Sequence, residues 1–127
     1  MTIRILFTGG GSGGHIYPIL AVARELQRLG AGKKLNLGLS YLGPKDKWAE
    51  VLRPEGVKIK SVVSGKLRRY ASPLNLVDLP KFFIGFLEAL GKLFWIMPDV
   101  IFSKGGTGAL PVVLAGWFYR IPIIIHE

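Results

Sequence analysis

Residues 9 to 14 read Gly-Gly-Gly-Ser-Gly-Gly, and they separate two segments of different hydrophobic period. Ile3 to Phe7, before them, is a short apolar run rich in β-forming residues. After them Ile16, Leu20, Ala23 and Leu26 recur at steps of three and four, the spacing of one helix face, closing at Gly30. A strand that passes into a helix through glycines opens a βα unit. Backbone without Cβ turns tightly and can approach a ligand, while unpaired N–H groups at a helix start attract anions. This junction commits the chain to alternating strands and helices.

The alternation continues. Leu35 to Leu42 reads as a second strand, flanked by lysines and by Gly43-Pro44. Asp46 to Leu52 reads as a short helix stopped by Pro54 and Gly56, and Val57 to Val63 as a third strand. Ser64 to Ser72 is a basic loop. A long helix is expected next, capped by Asp78 with Pro80 in its first turn and stopped by Pro98. Asp99 to Ser103 is a fourth strand. Lys104-Gly105-Gly106-Thr107-Gly108 is a second glycine loop, leading into a helix through about Tyr119. Ile121 to Ile125 is a fifth strand, apolar along its length as a parallel strand buried on both faces would be. The pattern predicts an α/β fold: a Rossmann-like parallel β-sheet with helices on both faces, as one domain over residues 1–127. His126 and Glu127 fall where a strand should hand over to a loop, so the expectation is a domain cut short.

Charge narrows the partners. Seventeen Lys and Arg against eight Asp and Glu give a net charge of +9, which attracts something anionic. The basic residues form small knots at Lys33-Lys34, Lys45/Lys47 and Lys66/Arg68/Arg69, without the interleaved aromatics that stack bases. Phosphates on lipids therefore rank above nucleic acid, and no nucleic-acid partner is expected. With no cysteine, disulfides, Cys-based metal sites and thiol nucleophiles are excluded. The first residues run straight into a strand with no signal-peptide pattern, and Phe82 to Met97 is interrupted by Glu88 and Lys92 and short for a bilayer span. A cytoplasmic location, touching a membrane, is the expectation.

The candidate site follows from the two glycine loops. Gly10, Gly11, Ser12, Gly13 and Gly14 precede the first helix, and Gly105, Gly106 and Thr107 precede the third. Both would lie on one edge of a parallel sheet, facing each other across a crevice suited to a diphosphate. The spacing departs from the dinucleotide signature, because no acidic residue stands at the end of the second strand to hold a ribose. His15 closes the first loop. It either hydrogen-bonds its own turn or serves the ligand, as general base or as donor to a phosphate. Lys104 adds charge or is simply solvated, and Glu127 follows the fifth strand on the same edge as a polar contact.

The long helix carries a narrow stripe of polar or small residues, Asp78, Lys81, Gly85, Glu88 and Lys92, on an otherwise apolar segment. So wide an apolar surface exceeds what packing on one sheet requires. Either neighbouring segments cover most of it, the first expectation, or it meets a membrane or partner. In the second reading Phe82, Phe83, Phe86 and Trp117 touch the membrane, with Lys66, Arg68 and Arg69 on its anionic headgroups.

Gly9-Gly10-Gly11-Ser12-Gly13-Gly14-His15-Ile16-Tyr17-Pro18, with Ala21-Val22-Ala23 and Leu26, resembles the opening of bacterial peptidoglycan N-acetylglucosaminyltransferases of the MurG type. A second match runs from Gly105-Gly106 to Pro111, through Leu114-Ala115-Gly116-Trp117, to Ile121-Pro122-Ile123-Ile124-Ile125-His126-Glu127. The resemblance implies the amino-terminal half of a two-domain GT-B transferase, which binds a lipid-linked polyprenyl-diphosphate acceptor. UDP-N-acetylglucosamine would be held only by a carboxy-terminal domain absent from this sequence. The implied reaction moves N-acetylglucosamine onto the muramyl sugar of an undecaprenyl-diphosphate intermediate, without metal or other cofactor, at the inner face of the cell membrane. It implies that Ser12, His15 and Glu127 are functional positions, that the glycine loops hold the acceptor diphosphate, and that this chain alone is inactive. Thr107 departs from the aromatic residue usual after the second Gly-Gly, and the Gln-Asn that follows His-Glu in the family lies beyond the last residue. The alternative is the membrane-side, acceptor-binding subunit of a split transferase acting on another polyprenyl-diphosphate or glycolipid acceptor.

Overall fold

The computed structural model describes residues 2–9, 13–33, 36–43, 47–61, 74–104 and 110–126, with backbone alone at 2, 13–15, 47–49, 61, 74–82 and 110. Among these, β1 (Thr2–Thr8), β2 (Asn36–Gly43), β3 (Lys58–Ser61), β4 (Val100–Ser103) and β5 (Ile123–Ile125) form one sheet in the order β3-β2-β1-β4-β5. Every pairing is parallel. The helices are α1 (Gly13–Gly32), α2 (Leu74–Ile96) and α3 (Leu110–Phe118).

Alternation along each strand divides the core in two. One face carries Ile5, Phe7, Leu39 and Tyr41, against Ile16, Ile19, Leu20 and Ala23 of α1. The other carries Leu6, Leu42 and Ile101, against Ala89 and Leu93 of α2 and Val112 and Ala115 of α3. The expected Rossmann-like arrangement, helices on both faces of a parallel sheet, is what forms. The α3 helix lies close to the sheet because Gly116 has no side chain: a Cβ there would meet Ile101 Cδ1 at 2.4 Å.

Several local expectations are corrected. The first helix continues past Gly30 to Gly32, since a buried glycine costs a helix only about 1 kcal/mol relative to alanine. The segment expected as a short helix over 46–52 is a 3₁₀ helix, Lys47–Glu55, with Pro54 inside it. Gly56 stops it, at φ 80°. The third strand, expected over 57–63, is Lys58–Ser61 among the described residues and so starts one residue later; 62 and 63 lie outside them. Asp78 is not a cap. The α2 helix starts at Leu74, so Asp78 and Pro80 lie inside it; Ser72-Pro73, just before Leu74, carries the same kind of start signal.

The end of α3 shows why the fifth strand is short. Arg120 takes a left-handed φ of 61°, and Arg120 N–H donates to Trp117 O (3.0 Å) while Ile121 N–H donates to Gly116 O (3.0 Å). This pair of bonds is the Schellman closure of a helix. It delivers Pro122, which has no N–H for the ladder, so pairing by β5 begins at Ile123. The β5 strand was expected to be buried on both faces. It lies instead at the edge of the described sheet, and Ile124 and Ile125 are 55% and 60% exposed.

The largest correction concerns α2. The expectation that neighbours cover most of its apolar surface fails: Phe83, Ile84, Leu87, Phe94 and Trp95 are all exposed. At 100° per residue they share one face with Gly91, opposite the buried Gly85, Ala89 and Leu93. Glu88 and Lys92, 3.6 Å apart, occupy the flank. The helix thus turns an entirely apolar face outward. No helix among the described residues is long and apolar enough to cross a membrane.

Candidate functional site

In an open parallel sheet, a ligand crevice opens beyond the carboxyl ends of the strands where the chain switches direction. Here that point lies between β1, whose connection through α1 leads to β2, and β4 on its other side. Backbone bonds align the strand ends around it. Lys104 N–H donates to Thr8 O (2.9 Å), and His126 N–H donates to Ser103 O (2.8 Å). The α1 helix begins four residues beyond Gly9, which sets its first N–H groups at the same edge.

The predicted residues divide into those the structure places and those it does not describe. Gly13, Gly14 and His15 are the first three residues of α1, so the glycine loop does lead into a helix start at the switch point. Side-chain placement at His15 lies outside the described atoms. Gly10, Gly11, Ser12, Gly105, Gly106, Thr107 and Glu127 lie outside the described residues, as do Lys66, Arg68 and Arg69. Of the apolar group, Phe82 is described by backbone only. Phe83, Phe86 and Trp117 come together with Leu114 and Phe118 around an apolar depression of about 240 Å³ between α2 and α3. Phe83 is 66% exposed and Trp117 74%, whereas Phe86 is half-buried against the core.

Sequence reasoning passed over three supporting residues. The buried Tyr41 hydroxyl donates to Gly9 O at 2.6 Å, which anchors the start of the first glycine loop to β2. Gly43 leaves room for that contact: a Cβ there would lie 2.7 Å from the Tyr41 hydroxyl oxygen and 2.8 Å from Gly9 O. Glycine before proline at a strand end carried a legible turn signal but no hint of this close approach. The third is His126. Its imidazole Nδ1 lies 2.9 Å from Lys104 Nζ, and its ring stacks on Phe102, centroids 6.2 Å apart. Phe102 in turn meets Phe7 edge-on at 6.0 Å. The buried Thr8 hydroxyl, at the end of β1, has no hydrogen-bond partner among the described residues.

Charge is distributed to the same effect. Every acidic side chain described is engaged. Glu25 pairs with Arg28, Glu50 with Arg53, Glu55 with Arg24, and Glu88 with Lys92. Asp99 accepts from the Arg4 backbone N–H at 2.8 Å. The Arg28 guanidinium, through its hydrogen bond, holds the Glu25 carboxyl below its usual range. Among the described residues Lys104 has no acidic partner, and its Nζ meets His126 instead.

Comparison with known proteins places this geometry. The sequence pattern of the glycosyltransferase family 28 N-terminal domain matches residues 5–127. A UDP-N-acetylglucosamine--N-acetylmuramyl-(pentapeptide) pyrophosphoryl-undecaprenol N-acetylglucosamine transferase of Bacillus cereus is 40% identical over 125 residues, covering 98% of this chain and 34% of the relative. The Legionella pneumophila enzyme of that name is 39% identical over 128 residues, covering the whole chain and 34% of the relative. The crystal structure of Acinetobacter baumannii MurG superposes with a TM-score of 0.72 at 26% identity, covering 98% of this chain and 34% of that one. The chain thus spans about a third of the length of the curated relatives it matches.

Proposed function

The chain belongs to the glycosyltransferase family 28 N-terminal domain family, and from that premise we propose that it is the acceptor-binding part of a peptidoglycan N-acetylglucosaminyltransferase. Its relatives carry the name of an enzyme that acts on a muramyl-pentapeptide joined through a diphosphate to undecaprenol. Such an acceptor makes two physical demands. Its diphosphate needs N–H groups and positive charge in a confined place. Its polyprenyl tail stays in a bilayer, so the domain must come to the membrane surface.

The observation that carries this reading is the outward apolar face of α2, joined to the depression between Phe83 and Trp117. An exposed apolar surface of this kind marks a place where a membrane or another partner is met. In the proposal this face and Trp117 rest at the headgroup boundary, and Lys66, Arg68 and Arg69 add attraction to anionic lipid. The glycine loops at the switch point, Gly10 to Gly14 and Gly105 to Thr107, hold the acceptor diphosphate. His15, at the first turn of α1, takes the proton of the acceptor hydroxyl or donates to the diphosphate, and Glu127 contacts the acceptor. UDP-N-acetylglucosamine is met by the part of the enzyme that follows in the relatives. The domain works on the cytoplasmic side, at the inner face of the membrane.

The test is a titration of the chain against anionic phospholipid vesicles with and without a polyprenyl-diphosphate sugar, with UDP-N-acetylglucosamine in parallel. Vesicle binding should strengthen when the lipid diphosphate is present. That increment should fall about tenfold in His15→Ala, the worth of a charged hydrogen bond. The nucleotide sugar should give no response. Tight nucleotide-sugar binding with indifference to the lipid would overturn the proposal.

A further inference from the structure

The chain has two histidines, and the fold brings both to the carboxyl edge of the sheet. His15 lies in the first turn of α1, and His126 directly follows β5. The register of β4 with β5 pairs Phe102 with Ile124, so His126 continues on the face that carries Phe102 and Phe7, the face on which α1 packs. Lys104 leaves β4 beside it. Its Nζ lies 2.9 Å from His126 Nδ1, and its backbone N–H is tied to Thr8 O at the switch point.

A lysine ammonium has donors and no acceptor, so Nδ1 of His126 must accept in this contact and the imidazole proton must sit on Nε2. Phe102 holds the ring plane by stacking at 23°. We propose that Lys104 is a positioning residue that fixes His126 as a neutral Nε2–H donor, and that this donor, with the Lys104 ammonium behind it, binds an oxyanion of a diphosphate group. In this proposal the pair adds a side-chain donor at the carboxyl ends of β4 and β5 to the backbone N–H groups at the start of α1. The ligand class rests on the acceptor-diphosphate reading above; the Lys104–His126 pairing does not.

Two readouts keep these apart. Nitrogen-15 NMR of the imidazole in the full chain, at about pH 8 where a free imidazole is neutral, reports which nitrogen carries the proton. We expect Nε2–H in the unsubstituted chain, a shift of both nitrogen signals toward the averaged tautomers in Lys104→Met, and return to Nε2–H in Lys104→Arg. Titration with inorganic pyrophosphate reads the donor. His126→Phe keeps the ring stack but should bind about tenfold more weakly, whereas His126→Gln, whose amide N–H replaces Nε2–H, should stay within about threefold. Lys104→Met should lose about tenfold and Lys104→Arg recover it. A protonated Nδ1 in the unsubstituted chain, or signals unmoved by Lys104→Met, overturns the pairing. Tautomers that respond as expected, with equal pyrophosphate affinity in all variants, overturn the donor role. If the unsubstituted chain ignores pyrophosphate while the tautomer still responds, the diphosphate reading of the crevice fails and the pairing stands.

Discussion

Gly43→Ala should unfold this chain at a temperature roughly 10–20 °C lower, a loss of about 2–6 kcal/mol, although it adds one methyl group. The added carbon would sit 2.8 Å from a backbone oxygen, Gly9 O, and 2.7 Å from the Tyr41 hydroxyl oxygen. Neither neighbour can swing aside. The tyrosine ring is fully buried, and its hydroxyl is bonded to that same Gly9 oxygen at 2.6 Å. Making room therefore means overpacking, about 1–3 kcal/mol, together with breaking a buried hydrogen bond, about 1–3 kcal/mol. Tyr41→Phe should cost only the second amount. The double variant should be more stable than the sum of the single losses implies, by about 1 kcal/mol, because one of the two clashes goes with the hydroxyl. Thermal unfolding by circular dichroism measures all three. Strict additivity would show that Gly43 and Tyr41 do not share the contact. Since Gly9 opens the glycine loop, both single variants should also weaken the diphosphate-dependent increment in vesicle binding.

The second large effect leaves the fold alone. Phe83→Ser combined with Trp117→Ser should lower affinity for anionic vesicles about a hundredfold or more, with the unfolding temperature unchanged within a degree or two. Each aromatic ring that enters the headgroup boundary removes on the order of 100 Å² of apolar surface from water, worth about 2.5 kcal/mol. Neither ring contributes much to the core: Phe83 is 66% exposed and Trp117 74%. Phe86→Ser is the informative contrast. That ring is half-buried against the cluster of Leu6, Ala89 and Leu93, so its loss should lower stability as well as binding. Sedimentation with vesicles, read beside circular dichroism, separates the cases. Unaltered vesicle affinity in the double serine variant would remove the membrane from the proposal.

The architecture was legible because periodicity reports it directly. Five apolar runs, separated by helical stretches and glycine junctions, allow few arrangements other than a parallel sheet with helices on both faces. That the first glycine run leads into a helix at the carboxyl edge was legible for the same reason, and α1 begins there at Gly13. What remained hidden depends on contacts between segments distant in sequence. Nothing local to Tyr41 says that its hydroxyl reaches Gly9, and nothing local to Gly43 says that a backbone oxygen stands where its Cβ would go. The identity of the outward face of α2 was hidden differently. The stripe of polar and small residues through Gly85, Glu88 and Lys92 did not say which apolar flank met the sheet; the small residues Gly85 and Ala89 let that side approach it and turned the bulky aromatics out. Likewise the run Ile123-Ile124-Ile125 gave its strand character without its rank in the sheet, because an interior and an edge strand can share one composition.

The outward face of α2 also governs how the protein behaves in a test tube. A net charge of +9 keeps copies apart in dilute buffer, where the screening length is about 30 Å at 0.01 M salt. Near 1 M that length falls to about 3 Å, and sulfate or phosphate salts strengthen apolar association at the same time. The chain should therefore be monodisperse in low-salt solution and self-associate reversibly as salt rises, the reverse of a protein held together by ion pairs. Light scattering along a salt gradient would show it, and the Phe83→Ser, Trp117→Ser variant should move the onset to higher salt. For purification and crystallisation, ammonium sulfate is then the precipitant to approach with most caution, and low ionic strength or a mild detergent the natural starting point.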